Sequence, residues 1–485
     1  VTQSGLLLDD ETRAALWAQV TERIEGYLRA VGEDGALRAT PEPGLTAAAV
    51  RDALRPLTFD APMAPADAVD LAARWLTDAQ VHTPHPRYFG LFNPAPTTMG
   101  VAADALVAAF NPQLAAWSHN PFANEVERHL IRALGSRGFG YDEETTDGTF
   151  CSGGAEANHT ALLCALTAAF PEFAEGGARA LSGQPVFYVS GEAHHSWHKA
   201  ARACGIGAAA VREAPVGPDL RMDVPALDGM IAEDRAAGRL PFLLVATAGT
   251  TNAGAIDPIA ETAWFAARER LWFHVDAAWG GAAALVPELR PLLDGVFAAD
   301  SITFDAHKWL SVPMGAGLFL TRHPDILSRT FDVLTAYMPG GEEGTADPYR
   351  HSLQWSRRAT GMKVFLSLLV AGWDGYAAAL RHQTAMGALL RARLTDDGWR
   401  VVNDTPLPLV CFVDGRAADG DAAPYLDAVA AHVVASGRAW CSTTRLGPGR
   451  MPALRACVTN YRTAPADVDA LVAALNDARR AVFAG

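Results

Sequence analysis

The spacing of apolar positions changes twice along the chain. Up to about residue 80, Leu16, Val20, Ile24, Leu28 and Val31 recur at the interval of an amphipathic helix. A proline-rich turn at 41–44 follows, and helical patterns resume from Thr46 and from Ala64. This segment is too thin to enclose a core of its own. It is expected to pack on something else, and in an oligomer a partner subunit would serve.

From His85 short apolar runs alternate with helical stretches. Pro185–Ser190 (PVFYVS), 241–247 (PFLLVAT), 271–276 (LWFHVD) and 300–304 (DSITF) each read as a buried strand. Strands separated by helices predict an α/β fold with a mostly parallel sheet and helices on both faces. Ligands in such folds sit at the carboxyl ends of the strands. A long helix is expected over 356–373 (SRRATGMKVFLSLLVAGW), leading away from the sheet. A smaller α+β unit follows, with strands near 407–413 and 453–458 and a last helix over 466–482. The expected division is an N-terminal helical segment over 1–84, a large domain over 85–375 and a small C-terminal domain over 376–485.

Composition narrows the partners. At about 150 residues per domain, 485 residues suit about three units. The net charge of −14, with no long basic run, argues against nucleic acid and anionic membrane surfaces. No apolar run reaches the roughly 18 residues that a membrane helix needs, and no signal-peptide pattern is visible after Val1. Six scattered cysteines without a CxxC pair are expected to be reduced, with the cytoplasm as the default compartment.

Five segments carry candidate chemistry. In DSITFDAHKW (300–309) a strand ends and a His-Lys pair follows at once. A lysine held there in apolar surroundings loses its proton more easily and can condense with an aldehyde; a surface lysine after a strand has the same sequence. In HVDAAWGG (274–281) Asp276 closes an apolar strand, where it either caps a turn or pairs with a protonated ring nitrogen. Ala278 beside it leaves room for a flat ring. CSGGAEAN (151–158) opens an apolar helix with small residues, whose N–H groups suit a phosphate. In AHHSWHK (193–199) an imidazole after a strand either stacks on a ring, begins a helix or binds metal. His194 and His198 have i, i+4 spacing but no HExxH glutamate, so no metal is expected. GTTNAGAIDP (249–258) places hydroxyls after another strand. The conjunction of these parts is far more specific than any one of them.

These motifs resemble the group II pyridoxal-5'-phosphate (PLP) decarboxylases, which include aromatic amino-acid, glutamate, histidine and diaminobutyrate decarboxylases. DAAWGG and DAHKW carry the likeness, with SRRATGMKVF and LRACVTNYRTAPADVDALV. It runs from HPRYFGLF at His85 through the C-terminal unit. The resemblance implies the aspartate-aminotransferase fold (fold type I), a PLP cofactor, and conversion of an L-amino acid to its amine and carbon dioxide. It also implies a homodimer with the active site at the interface.

Carried over by position, the resemblance makes Lys308 the Schiff-base lysine, with His307 beside it. Asp276 would pair with the pyridine nitrogen, and Ala278 and His194 would sandwich the ring. Thr251 would bring a hydroxyl near the ring, Gly154 and Ala155 would form the phosphate turn, and Ser356 would reach the phosphate across the dimer. Tyr337, in TFDVLTAYMPGGEEGT, falls where the family carries a mobile-loop tyrosine that returns a proton to Cα; His194 is the second candidate. Leu91 stands near where members with aromatic substrates carry an aromatic residue, and Arg87 is the candidate for a substrate side-chain carboxylate. The alternatives are a decarboxylating aldehyde synthase, against which Tyr337 argues, and an aminotransferase of the same fold. A non-catalytic scaffold would not need Lys308, Asp276 and His194 together.

Overall fold

The computed structural model describes residues 6–32, 38–41, 44–333, 335–338, 342, 344–415 and 422–484. Seven strands form the main sheet: β1 (Asp147–Cys151), β2 (Pro185–Ser190), β3 (Val211–Ala214), β4 (Leu240–Thr247), β5 (Trp272–Asp276), β6 (Ser301–Asp305) and β7 (Gly317–Thr321). Their spatial order is β1-β7-β6-β5-β4-β2-β3. Only β7 runs antiparallel to its neighbours. The four strands expected from apolar runs are present, with ends moved by at most one residue. Apolar runs did not single out β1, β3 and β7: β1 reads DGTFC, and β3 is a four-residue edge strand. β2 and β6 are buried along their whole length because helices cover both faces.

A second sheet, ordered β10-β11-β9-β8, is antiparallel and comprises β8 (Trp399–Val401), β9 (Leu409–Asp414), β10 (Ser442–Leu446) and β11 (Met451–Cys457). Helices Ala422–Ser436 and Pro465–Ala484 accompany it. Residues just after His85 bond to this second unit: Phe89 N donates to Trp440 O at 2.9 Å, and Cys457 N donates to Phe89 O at 3.0 Å.

The helix expected from Ser356 begins at Gly361 and continues to Asp396, across the proposed domain boundary. Glu127 explains the start. Its carboxylate accepts from Gly361 N at 3.0 Å and pairs with Arg357, so the chain before Gly361 is held outside the helix. By length and composition this is the one helix among the described residues that could cross a membrane. It packs instead on helices Thr98–Phe110 and Pro121–Phe139, and its Lys363 is buried against Asp104 at 3.2 Å.

The N-terminal helices are as thin as their sequence suggests. Asp10–Gly32 buries only Val31, and Ala47–Leu54 and Pro65–Asp78 bury nothing. Contact between the first and third is polar, through Gln19 and Arg23 to Asp70.

Candidate active site

Three neighbouring strands end side by side. In register, Thr247 on β4 pairs with Asp276 on β5, and Asp276 pairs with Thr303 on β6. The chain leaves β6 in a turn closed by Lys308 N donating to Asp305 O at 3.1 Å. Lys308 therefore returns over the strand ends. Around them lies a cavity lined by Lys308, Asp276, Ala278, His194, Thr251 and the Gly154–Ala155 turn. Residues far apart in sequence thus share one space, as the motifs predict. Phe92, Asn158, Thr247, Gly249 and Trp279 complete the walls.

Asp276 is buried and rigidly held. Asn158 Nδ2 donates to its Oδ2 at 2.8 Å, and Ala278 N donates to its Oδ1 at 3.2 Å. Asn158 is oriented in turn by Thr303 Oγ1, which donates to its Oδ1 at 2.7 Å. Sequence reasoning missed this relay, although Asn158 lies in the quoted CSGGAEAN segment. Among the described residues no cation makes an ion pair with Asp276. A buried carboxylate without a counter-charge is costly, and a protonated ring nitrogen would supply one.

His194 lies exposed at the cavity mouth. Its Nδ1 accepts from Ser196 N at 3.2 Å, which leaves Nε2 to carry the proton of the neutral ring. Surrounding protein lowers its pKa, against the opposing pull of Asp276. A neutral imidazole stacks on a ring without adding charge. His198 Nε2 lies 3.4 Å from Glu213 and does not line the cavity. His307 is buried behind the lysine, its Nδ1 accepting from Ala316 N at 3.2 Å. Burial lowers its pKa, with Asp305 opposing.

Phe92 stacks on Trp279 with centroids 4.4 Å apart. On its ring lie Lys308 Nζ at 5.9 Å and the Arg455 guanidinium at 5.0 Å from the centroid. Arg455 is buried, donating to Thr251 O at 3.0 Å and Gly90 O at 2.7 Å, with Nη2 unpartnered among the described residues. Arg87 does not fill the carboxylate-binding role suggested for it. It is committed to Asp467 at 3.0 Å and does not line the cavity, because the 85–90 segment turns toward the small domain.

Tyr337 and Ser356 stand outside the cavity of their own chain. Tyr337 is 74% exposed and stacks on Trp355 at 6.3 Å. Ser356 is exposed, with Gln113 donating to its Oγ at 3.5 Å.

Residues 52–414 match the model of the pyridoxal-dependent decarboxylase conserved domain. The chain belongs to the pyridoxal-dependent decarboxylase family. It is 32% identical over 391 residues to an aromatic-L-amino-acid decarboxylase of Bacillus atrophaeus, covering 79% of this chain and 78% of that protein. It is 35% identical over 286 residues to an L-2,4-diaminobutyrate decarboxylase of Rhizobium meliloti, covering 58% and 55%. The structure of mouse CSAD superposes with a TM-score of 0.90 at 25% identity, covering 97% of this chain and 99% of that one. This decarboxylase is a PLP-dependent lyase that converts an amino acid to its amine and carbon dioxide. The comparisons favour that reaction over aldehyde synthesis and transamination.

The residues present fit the cofactor. Besides the uncompensated Asp276, the buried Thr247 Oγ1 faces the same space with no partner among the described residues. Close packing leaves no room for a side chain at residue 154: a Cβ on Gly154 would lie 2.8 Å from Asp305 Oδ2 and 3.2 Å from Ala278 Cβ.

Proposed function

We propose that Lys308 holds PLP covalently in the cavity at the ends of β4, β5 and β6, and that decarboxylation takes place there. The observation that carries this reading is the pairing of roles: Lys308 and an uncompensated, buried Asp276 reach into one cavity from neighbouring strand ends. When bound, PLP supplies the electron sink for the pair left at Cα as carbon dioxide departs. Asp276 holds the proton on the ring nitrogen. Ala278 and His194 bracket the ring, Thr251 offers its hydroxyl, and the N–H groups at Gly154 and Ala155 receive the phosphate, with His307 behind them. The substrate side chain extends past Phe92 toward Leu91.

Tyr337 and Ser356 act in the site of a second copy, Tyr337 returning the proton to Cα and Ser356 meeting the phosphate. Both are exposed and neither lines the cavity of its own chain, which supports this. The N-terminal helices, almost without buried residues, support a homodimer in which they cover the partner. Residues 1–84, 85–375 and 376–485 are the units of that dimer, bridged by helix Gly361–Asp396. Six free cysteines suit a reducing cytoplasm.

The test is to assay PLP-loaded protein against individual L-amino acids, recording carbon dioxide, amine and aldehyde. One substrate giving carbon dioxide and amine in equal amounts is expected. Lys308→Ala should lose covalent PLP and turnover. A fully active Lys308→Ala protein would sink the assignment.

A further inference from the structure

We propose that Asp305 is the counter-ion of Lys308, a carboxylate built into the end of β6 to receive the lysine ammonium whenever the cofactor is bonded to another amine. This rests on the reading of Lys308 above. Asp305 Oδ2 lies 2.8 Å from Lys308 Nζ, and the Asp305 side chain is 1% exposed. The carboxylate has little else to do. It caps no helix, its Oδ1 has no partner among the described residues, and His307 Nε2 is 3.9 Å away. Two glycines keep its space open: a Cβ on Gly154 or on Gly317 would stand 2.8 Å from one of its oxygens.

The turn makes the pairing local. Lys308 N donates to Asp305 O, so both side chains leave the same turn and meet without movement of the sheet. The other charged or titratable groups near Lys308 are His307 on the same turn, Asp276 on β5, His194 after β2, and Arg455 of β11 across the Phe92 ring. Among the described residues only Asp305 is within ion-pair distance of Lys308 Nζ.

The chemistry needs such a place. As the incoming amine forms its bond to the cofactor carbon, the bond to Lys308 Nζ breaks. The proton given up by the incoming ammonium balances the one Lys308 carries away. Lys308 leaves as an ammonium, and Asp305 accepts it out of the path of the substrate. When the product departs, the proton passes to the product amine and Lys308 re-forms its bond. Asp305 is a positioning residue in this scheme, since it acts through Lys308.

A carboxylate at this distance stabilises the released ammonium by a charge-assisted hydrogen bond. Asp305→Asn should therefore raise the methylamine concentration at the midpoint for displacing PLP from Lys308 by about ten- to a hundredfold. The fraction displaced is read from borohydride-trapped PLP on the Lys308 peptide by mass spectrometry. Asp305→Ser, smaller and uncharged, should shift the same way and serves if the amide variant does not fold. A carboxylate needed only for packing would leave the midpoint in place, and an unmoved midpoint overturns the proposal. If PLP in the wild-type protein is trapped on a residue other than Lys308, the Lys308 reading fails and this one falls with it.

Discussion

Asp276 is a buried carboxylate with no ion-pair partner among the described residues. Two donors hold its oxygens, yet neither is a cation. Asp276→Ala should keep the fold, retain PLP poorly, and lower turnover by about 10²- to 10³-fold, the usual cost of removing a preorganised electrostatic partner. Equilibrium dialysis of the cofactor and steady-state rates would check both effects. His274, two residues earlier, is buried for a different reason. It packs edge-on against Trp197 and shares a 2.8 Å hydrogen bond with Ser301, and burial pushes its pKa down to about 3. The unfolded chain accepts a proton near the ordinary 6.5, but the folded chain does not. The stability this imidazole contributes is therefore complete above pH 6.5 and is lost as pH falls toward 3. His274→Gln should flatten the acid limb of a Tm-against-pH curve across that window; an identical slope would count against it.

Among the elements, helix Gly361–Asp396 does the most structural joining, and it does so with a break. Gly372 has φ 63° and ψ 176°, a conformation reserved almost wholly for glycine. A Cβ there would meet no neighbour, so only the backbone preference is at stake. Gly372→Ala should destabilise the protein by about 1–3 kcal/mol, measured as a lower denaturant midpoint. If stability is unchanged, the break tolerates a side chain and glycine is there for another reason. The same helix illustrates how tertiary contacts move a boundary. The periodic pattern begins at Ser356, yet Glu127 claims Arg357 and the Gly361 N–H, and the first turn forms five residues later.

For the whole molecule, large apolar side chains remain outside. Phe110 is 81% exposed, Phe122 62%, Leu369 64% and Val370 68%, on helices that pack beside one another. Exposed apolar surface of this kind is what the proposed dimer would cover. The proposal of an active site shared across a dimer has a direct consequence. Lys308→Ala and Tyr337→Phe chains, refolded together, should regain amine formation that neither parent shows. On the order of one site in four should be intact, because half the dimers are mixed and each mixed dimer restores one site. Activity equal to the sum of the parents would place Tyr337 and Lys308 in the same chain's site, or Tyr337 in none.

The sequence by itself determined which residues gather at the strand ends. Lys308, Asp276, Ala278, His194 and the Gly154–Ala155 turn each lie in a short contiguous motif beside an apolar run, and in a mostly parallel sheet such ends converge. That local logic made both the fold class and most of the cavity legible. Only the tertiary structure decided what crosses between motifs. Asn158 reaches Asp276 over 118 residues of sequence, and Thr303 reaches Asn158 over 145, through sheet register that no local pattern encodes. Arg455 arrives from the second sheet, while Arg87 is drawn away to Asp467. The physical reason is common to all of these. Periodicity and turn chemistry act over a few residues, whereas the partner of a buried polar group is whichever side chain the packed sheet brings within hydrogen-bond reach.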